Sequence, residues 1–190
     1  GTEVVVSATP LTVTYRATDV NGNTQLCTFE IQVVDTQKPQ FDADIVMPGN
    51  VTVQCDAVPA AFVLTNNDVY DNCTPSANLV INFTTSSTQG TNPALCSFYS
   101  YTITRTWTVT DAAGNTLTHV QVVTVTDTTK PLAKCKNATV TLDKFGLVTV
   151  SGADVNNGST DNCATPFLTF TLTPTSFDCS KLGANTVTLT

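Results

Sequence analysis

The chain has 190 residues, with 15 Asp plus Glu against 8 Lys plus Arg, for a formal net charge of -7. That balance disfavours nucleic acid and anionic membranes, which select clustered Lys and Arg, and no apolar run approaches the ~18 residues of a membrane helix. Only 12% of the residues are charged, Val and Thr are abundant, and there are seven cysteines. These features describe a β-rich chain from an oxidising compartment.

Taken in order, the chain predicts only strands and turns. It opens in a strand-like pattern over 3–7. Segments 12–18 and 24–34 alternate around Asn21-Gly22-Asn23, a strong hairpin signal. Pro39 follows as a stiff joint. Further strands are predicted over 50–54, 60–64 and 78–84, then a second hairpin of 103–110 and 116–126 around Gly114-Asn115. Pro131 marks another joint, followed by predicted strands over 138–142, 147–151 and 168–172. About seven short strands in roughly 90 residues describe an immunoglobulin-like β-sandwich, so the expected class is all-β.

The pattern repeats. Residues 18–39 and 110–131 are degenerate copies displaced by 92 positions. Asp19 matches Asp111, Gly22 matches Gly114, Asn23 matches Asn115, Asp35 matches Asp127, and Lys38-Pro39 matches Lys130-Pro131. Asp71-Asn72-Cys73 returns as Asp161-Asn162-Cys163, residues 50–55 (NVTVQC) as 137–142 (NATVTL), and 11–16 (LTVTYR) as 185–190 (NTVTLT). The expected organisation is therefore tandem: 1–37 as the end of one repeat, 38–129 as a complete repeat, and 130–190 as the beginning of a third.

The stretches CDAVPAA, DNC, YTITRTWTVTDAAGN, VTDTTKP, ADVNNGSTDNC and SFDCSKLGANTVTLT resemble hyalin-type (HYR-like) repeats. Such repeats form long arrays in cell-surface proteins of Bacteroidota, including gliding-motility and adhesin-like proteins. The resemblance covers nearly the whole chain. It implies an immunoglobulin-like fold and an extracellular surface stalk or adhesive filament, with neither catalysis nor a particular ligand.

The cysteines follow the repeats. Cys73 and Cys96 occupy the same two slots as Cys163 and Cys179, which predicts the pairs Cys73–Cys96 and Cys163–Cys179, each stabilising by about 2–4 kcal/mol. Cys27 is replaced by His119 in the next copy, and Cys135 by Ala43 in the previous one. The middle repeat lacks both positions together. That is expected if the first and last strands of a repeat are bridged, so Cys27 and Cys135 are expected to pair with cysteines outside this sequence. Cys55 is left over. In the resembling family a CDAVP repeat often carries a second cysteine within DACGN, where this chain has Ala113. Cys55 is then a buried free thiol, a partner of Cys73 or Cys96, or a link to another chain.

Little else suggests chemistry. There are no C-x-x-C pairs, phosphate loop, G-x-S-x-G elbow or H-E-x-x-H, and the single histidine, His119, has no triad around it. The chain is not expected to be an enzyme. Calcium is the one cofactor to weigh. Its candidates are Asp35 and Asp127 at the repeat junctions, with Asp71 and Asp161, beside Asp68 and Asp154 in similar loops; the alternative is plain turn chemistry. Asp127-Thr128-Thr129 resembles a bacteroidal O-glycosylation motif, which makes Thr128 a glycosylation candidate. Trp107 is expected in the core, on the Cys73–Cys96 bridge; a sugar-stacking platform is the competing reading.

The expected function is a structural segment of an extracellular stalk, adhesin or filament, whose partners are neighbouring repeats. Two alternatives stand beside it: repeats that bind a polysaccharide or a partner protein, and a subunit that polymerises by strand exchange, residues 1–36 of one copy completing 131–190 of the next.

Overall fold

The structure, a computed structural model, describes residues 9–190. The strand predicted over 3–7 lies outside them. Strands β1 (Leu11–Thr18) and β2 (Thr24–Ile31) form an antiparallel hairpin that pairs Leu11 with Ile31 and Thr18 with Thr24. Next come β3 (Gln40–Phe41), β4 (Val51–Gln54), β5 (Val69–Tyr70), β6 (Val80–Ser87), β7 (Tyr101–Thr110) and β8 (Thr116–Thr126). Four of these make one sheet in the order β4-β8-β7-β6, and β3 pairs with β5. The remaining strands are β9 (Leu147–Thr149), β10 (Leu172–Thr173), β11 (Ser176–Asp178) and β12 (Thr188–Leu189), paired β9–β11 and β10–β12. Among the described residues one α-helical turn, Gly152–Val155, and five short 3-10 turns lie between the strands. The molecule is all-β and immunoglobulin-like.

The same turn chemistry builds three hairpin-like bends. At the β1–β2 turn the Asp19 carboxylate accepts from the backbone N–H groups of Asn21 and Asn23, and from the Asn23 amide. At the β7–β8 turn Asp111 accepts from the Asn115 backbone at 2.7 Å and its amide at 2.8 Å. Asp143 repeats the device with Phe145 and Leu147. Each bend passes through a glycine at positive φ: Gly22 at 85°, Gly114 at 90° and Gly146 at 75°. A short acid that can bond its own backbone, followed by a residue free to adopt the left-handed region, is what a tight turn requires.

Residues cluster into two compact units. The first takes the chain up to Pro48 with Ala61–Thr84 and Arg105–Val120; the second takes Gly49–Ala60, Thr85–Thr104 and Gln121–Thr190. In the first, Val69, Leu79 and Val109 form a core with Phe41, Leu64, Ile81 and Leu117 against it. Trp107 is fully buried. Its ring meets Phe83 at 5.1 Å and His119 at 5.8 Å, and its Nε1–H donates to the Phe62 carbonyl at 3.2 Å. The predicted core position is correct, but the predicted packing partner is not, because Cys73 and Cys96 are both free thiols. In the second unit Val150, Val155 and Leu172 pack with Phe177, Val187 and Leu189.

Two further expectations need correcting. The segment 60–64 forms no strand. It serves the core through Leu64 and the Phe62 carbonyl rather than through a ladder. Residues 138–142 have the alternation of a strand but form none, since among the described residues none pairs alongside them. A lone extended segment does not become a sheet without its ladder.

Candidate functional site

The two Asp-Asn-Cys loops are built alike. Asp71 Oδ2 accepts from the backbone N–H of Cys73 and of Thr74, both at 2.9 Å. Asp161 Oδ1 accepts from Cys163 at 2.8 Å and Ala164 at 3.0 Å. In each case the aspartate closes the turn and presents the cysteine two residues on.

Carboxylates gather at both loops. In the first unit, ligand atoms of Asp35, Asp71 and Asp111 all lie within 4.8 Å of one another. Asp35 Oδ2 and Asp71 Oδ1 are buried and make no hydrogen bond there. The loop is also pinned to the β7–β8 turn, where the buried Thr74 hydroxyl accepts from the Ala112 N–H at 3.0 Å and the Asn115 amide donates to the Asp35 carbonyl. Burial works against ionisation of Asp111. The Asn115 side chain and the turn's backbone N–H groups outweigh it and hold that carboxyl below its ordinary value. Three carboxylates offer an all-oxygen donor set of the kind calcium takes. In the second unit the corresponding group is Asp127, Asp161 and Cys163. Its sulfur is not a ligand, because it is bonded to another cysteine, which leaves two carboxylates. Asp127 Oδ1 is buried without a hydrogen bond. The predicted calcium candidates Asp35 with Asp71, and Asp127 with Asp161, are thus brought together in pairs. The sequence reading missed Asp111, although it opens the TDAAGN motif. Asp68 and Asp154 do turn chemistry instead. Each caps a short turn by accepting from the backbone and hydroxyl of Thr65 or Ser151, whose hydroxyl is the main reason its carboxyl is lowered.

The cysteines depart from the predicted pairs. Cys163 is bonded to Cys55, with Cα atoms 5.9 Å apart, rather than to Cys179. The turn at Asp161 aims Cys163 at the end of β4, and the Asn162 amide donates to Asp56 next to Cys55 at 3.2 Å. Cys179 lies near the Gly146 carbonyl instead. Cys55, left over in the sequence, is therefore the one with a partner. Cys27, Cys73, Cys96, Cys135 and Cys179 are free and exposed. At Cys73, desolvation of the sulfur and then the charges of Asp35 and Asp71 push the thiol up. A thiol held protonated is a poor nucleophile.

Two other expected positions are plainly placed. His119 donates from Nε2 to the Pro48 carbonyl at 2.9 Å and stands edge-on to Phe41. Thr128 is exposed, and its hydroxyl accepts from the Gln54 amide at 2.6 Å.

Residues 44–125 match the family model of a HYR-like domain with 4 cysteines. That stretch holds Cys55, Cys73 and Cys96, with Ala113 where the resembling pattern has its fourth. The Ala112–Thr74 hydrogen bond ties the turn that holds Ala113 to the residue after Cys73. No curated protein and no solved structure matches the chain.

Proposed function

We propose that this chain is a structural repeat segment of a long extracellular stalk, adhesin or filament on a cell surface. The observation that carries the reading is the HYR-like match over residues 44–125, set beside the carboxylate-clamped hairpin that recurs 92 residues apart. A module that repeats its own turn chemistry serves best as a spacer, because each repeat contacts mainly its neighbours. The repeats run 1–37, 38–129 and 130–190 in this reading. A non-catalytic role is supported by the side chains available. The one histidine is tied to a backbone carbonyl, and the Cys73 thiol is held protonated by its surroundings.

Protease treatment of intact cells that make the protein tests the reading. Fragments containing this sequence should be released while a cytoplasmic marker stays inside. Fragments that appear only after lysis would overturn it.

A further inference from the structure

The linker that leaves β2, the loop that follows β5 and the β7–β8 turn meet at three carboxylates. Asp35, Asp71 and Asp111 come one from each, and all three belong to the first unit. We propose that this trio is a binding site for one calcium ion, which ties the linker to the loop and to the turn. The site uses residues of a single unit, so it stands whether or not the chain is a segment of a stalk.

Acids near one another do not by themselves make a site; here the oxygens are used in an unusual way. Asp71 Oδ2 accepts from two backbone N–H groups, while Oδ1 is buried and has no partner. Asp35 Oδ1 accepts from the Gln37 N–H at 3.0 Å, while Oδ2 is buried and has no partner. In both, the backbone fixes one side of the carboxylate and leaves the other oxygen out of water without a donor. The Cys73 thiol lies near Asp35, but an S–H is a weak and uncharged donor. Buried polar groups are ordinarily hydrogen-bonded, and buried charges are either paired or coordinate metals.

Asp111 closes the trio from a position only 5% exposed. Asn115 clamps both its oxygens, so it cannot swing away from its neighbours. Ligand atoms of the three lie within 4.8 Å of one another. Like charges so close, with little water between them, repel strongly. A divalent cation turns that repulsion into attraction and supplies the partner that two oxygens lack. The spacing suits calcium, since such oxygens can share a sphere of radius about 2.4 Å. An all-oxygen set is hard, unlike the sulfur and imidazole that soft metals select. Calcium also accepts irregular geometry completed by water, whereas magnesium demands a near-ideal octahedron. The linker already touches the turn there, through the Asn115 amide and the Asp35 carbonyl at 3.2 Å. In the second unit Asp127 and Asp161 are only two carboxylates, and fewer charges mean weaker binding.

The test is a calorimetric calcium titration of the 190-residue chain after EDTA treatment, at neutral pH and physiological salt. The expected result is one ion per chain with a Kd below about 1 mM, at least tenfold tighter than for magnesium. Asp35→Asn and Asp71→Asn should each weaken binding at least tenfold. The asparagine oxygen can keep the backbone bonds, so the loops survive. Thermal midpoints separate an ion site from a merely structural role. Calcium should raise the wild-type midpoint, while in EDTA both variants should melt at or above the wild type, because one charge of the trio is gone. Asp44→Asn removes an exposed acid from the same unit and should bind calcium as the wild type does. No saturable binding by about 10 mM calcium, tenfold beyond the range of extracellular modules, overturns the proposal. So does equal weakening by Asp44→Asn, since the ion would then follow net charge. So do Asp35 and Asp71 variants that melt below the wild type in EDTA. None of these results touches surface exposure, on which the stalk reading stands or falls.

Discussion

Asp111 does three jobs at one position: it clamps the β7–β8 turn through Asn115, it is buried, and it completes a carboxylate trio with Asp35 and Asp71. Its carboxyl is lowered in the folded state, so its stabilising contribution is present above the ordinary value of 3.8 and fades as pH falls through the lower folded one. The melting temperature should drop on acidification below about pH 4. Asp111→Asn should flatten that drop and cost roughly 1.5–3 kcal/mol at neutral pH, read from denaturant midpoints at several pH values. Trp107→Ala should be more damaging still. A fully buried indole packed on Phe83 and His119 is worth about 3–5 kcal/mol by urea unfolding. Ala113→Cys tests the missing fourth cysteine. Oxidation of that variant should bond the new sulfur to Cys73, seen as a cross-linked peptide by mass spectrometry and as an unfolding midpoint raised relative to the reduced variant.

At the scale of elements, the hairpins were the most legible part of the sequence. Strict alternation on either side of an Asx-Gly turn fixes two strands and their connection locally, and β8 runs over Thr116–Thr126, the span predicted from pattern alone. Gly114 makes the point testable. A Cβ there would meet nothing within 4 Å, but φ is +90°. Gly114→Ala should therefore cost about 1–2 kcal/mol through backbone strain alone, read as a lowered thermal midpoint. Elements that depend on distant partners were less legible. Residues 60–64 and 138–142 look like strands, yet whether a segment pairs is decided by what lies beside it. The Cys55–Cys163 bond joins positions 108 apart in sequence. Spacing arguments favour pairs within a repeat, and the only trace of this one was that Cys55 had no place in them. The acidic pairs were legible because Asp35 recurs as Asp127 and Asp71 as Asp161. Asp111 was missed because a turn aspartate explains itself without a second role.

At the scale of the molecule, the second unit depends on a bond that spans most of its length in sequence. Closing so long a loop stabilises by about 4–5 kcal/mol on chain-entropy grounds. Cys55→Ser should lower the unfolding midpoint and leave Cys163 open to alkylation, whereas Cys179→Ser should change neither. The β4–β8 pairing has a consequence for load. Because the two strands run parallel, the chain enters this ladder at Val51 and leaves it at Thr126, at opposite ends. Tension applied between those points slides one strand along the other and strains all four pairs at once. Tension across the open ends of the antiparallel β7–β8 hairpin peels its bonds apart one by one. One sheet therefore resists stretch along the chain and yields to prying across it, as a lap joint does.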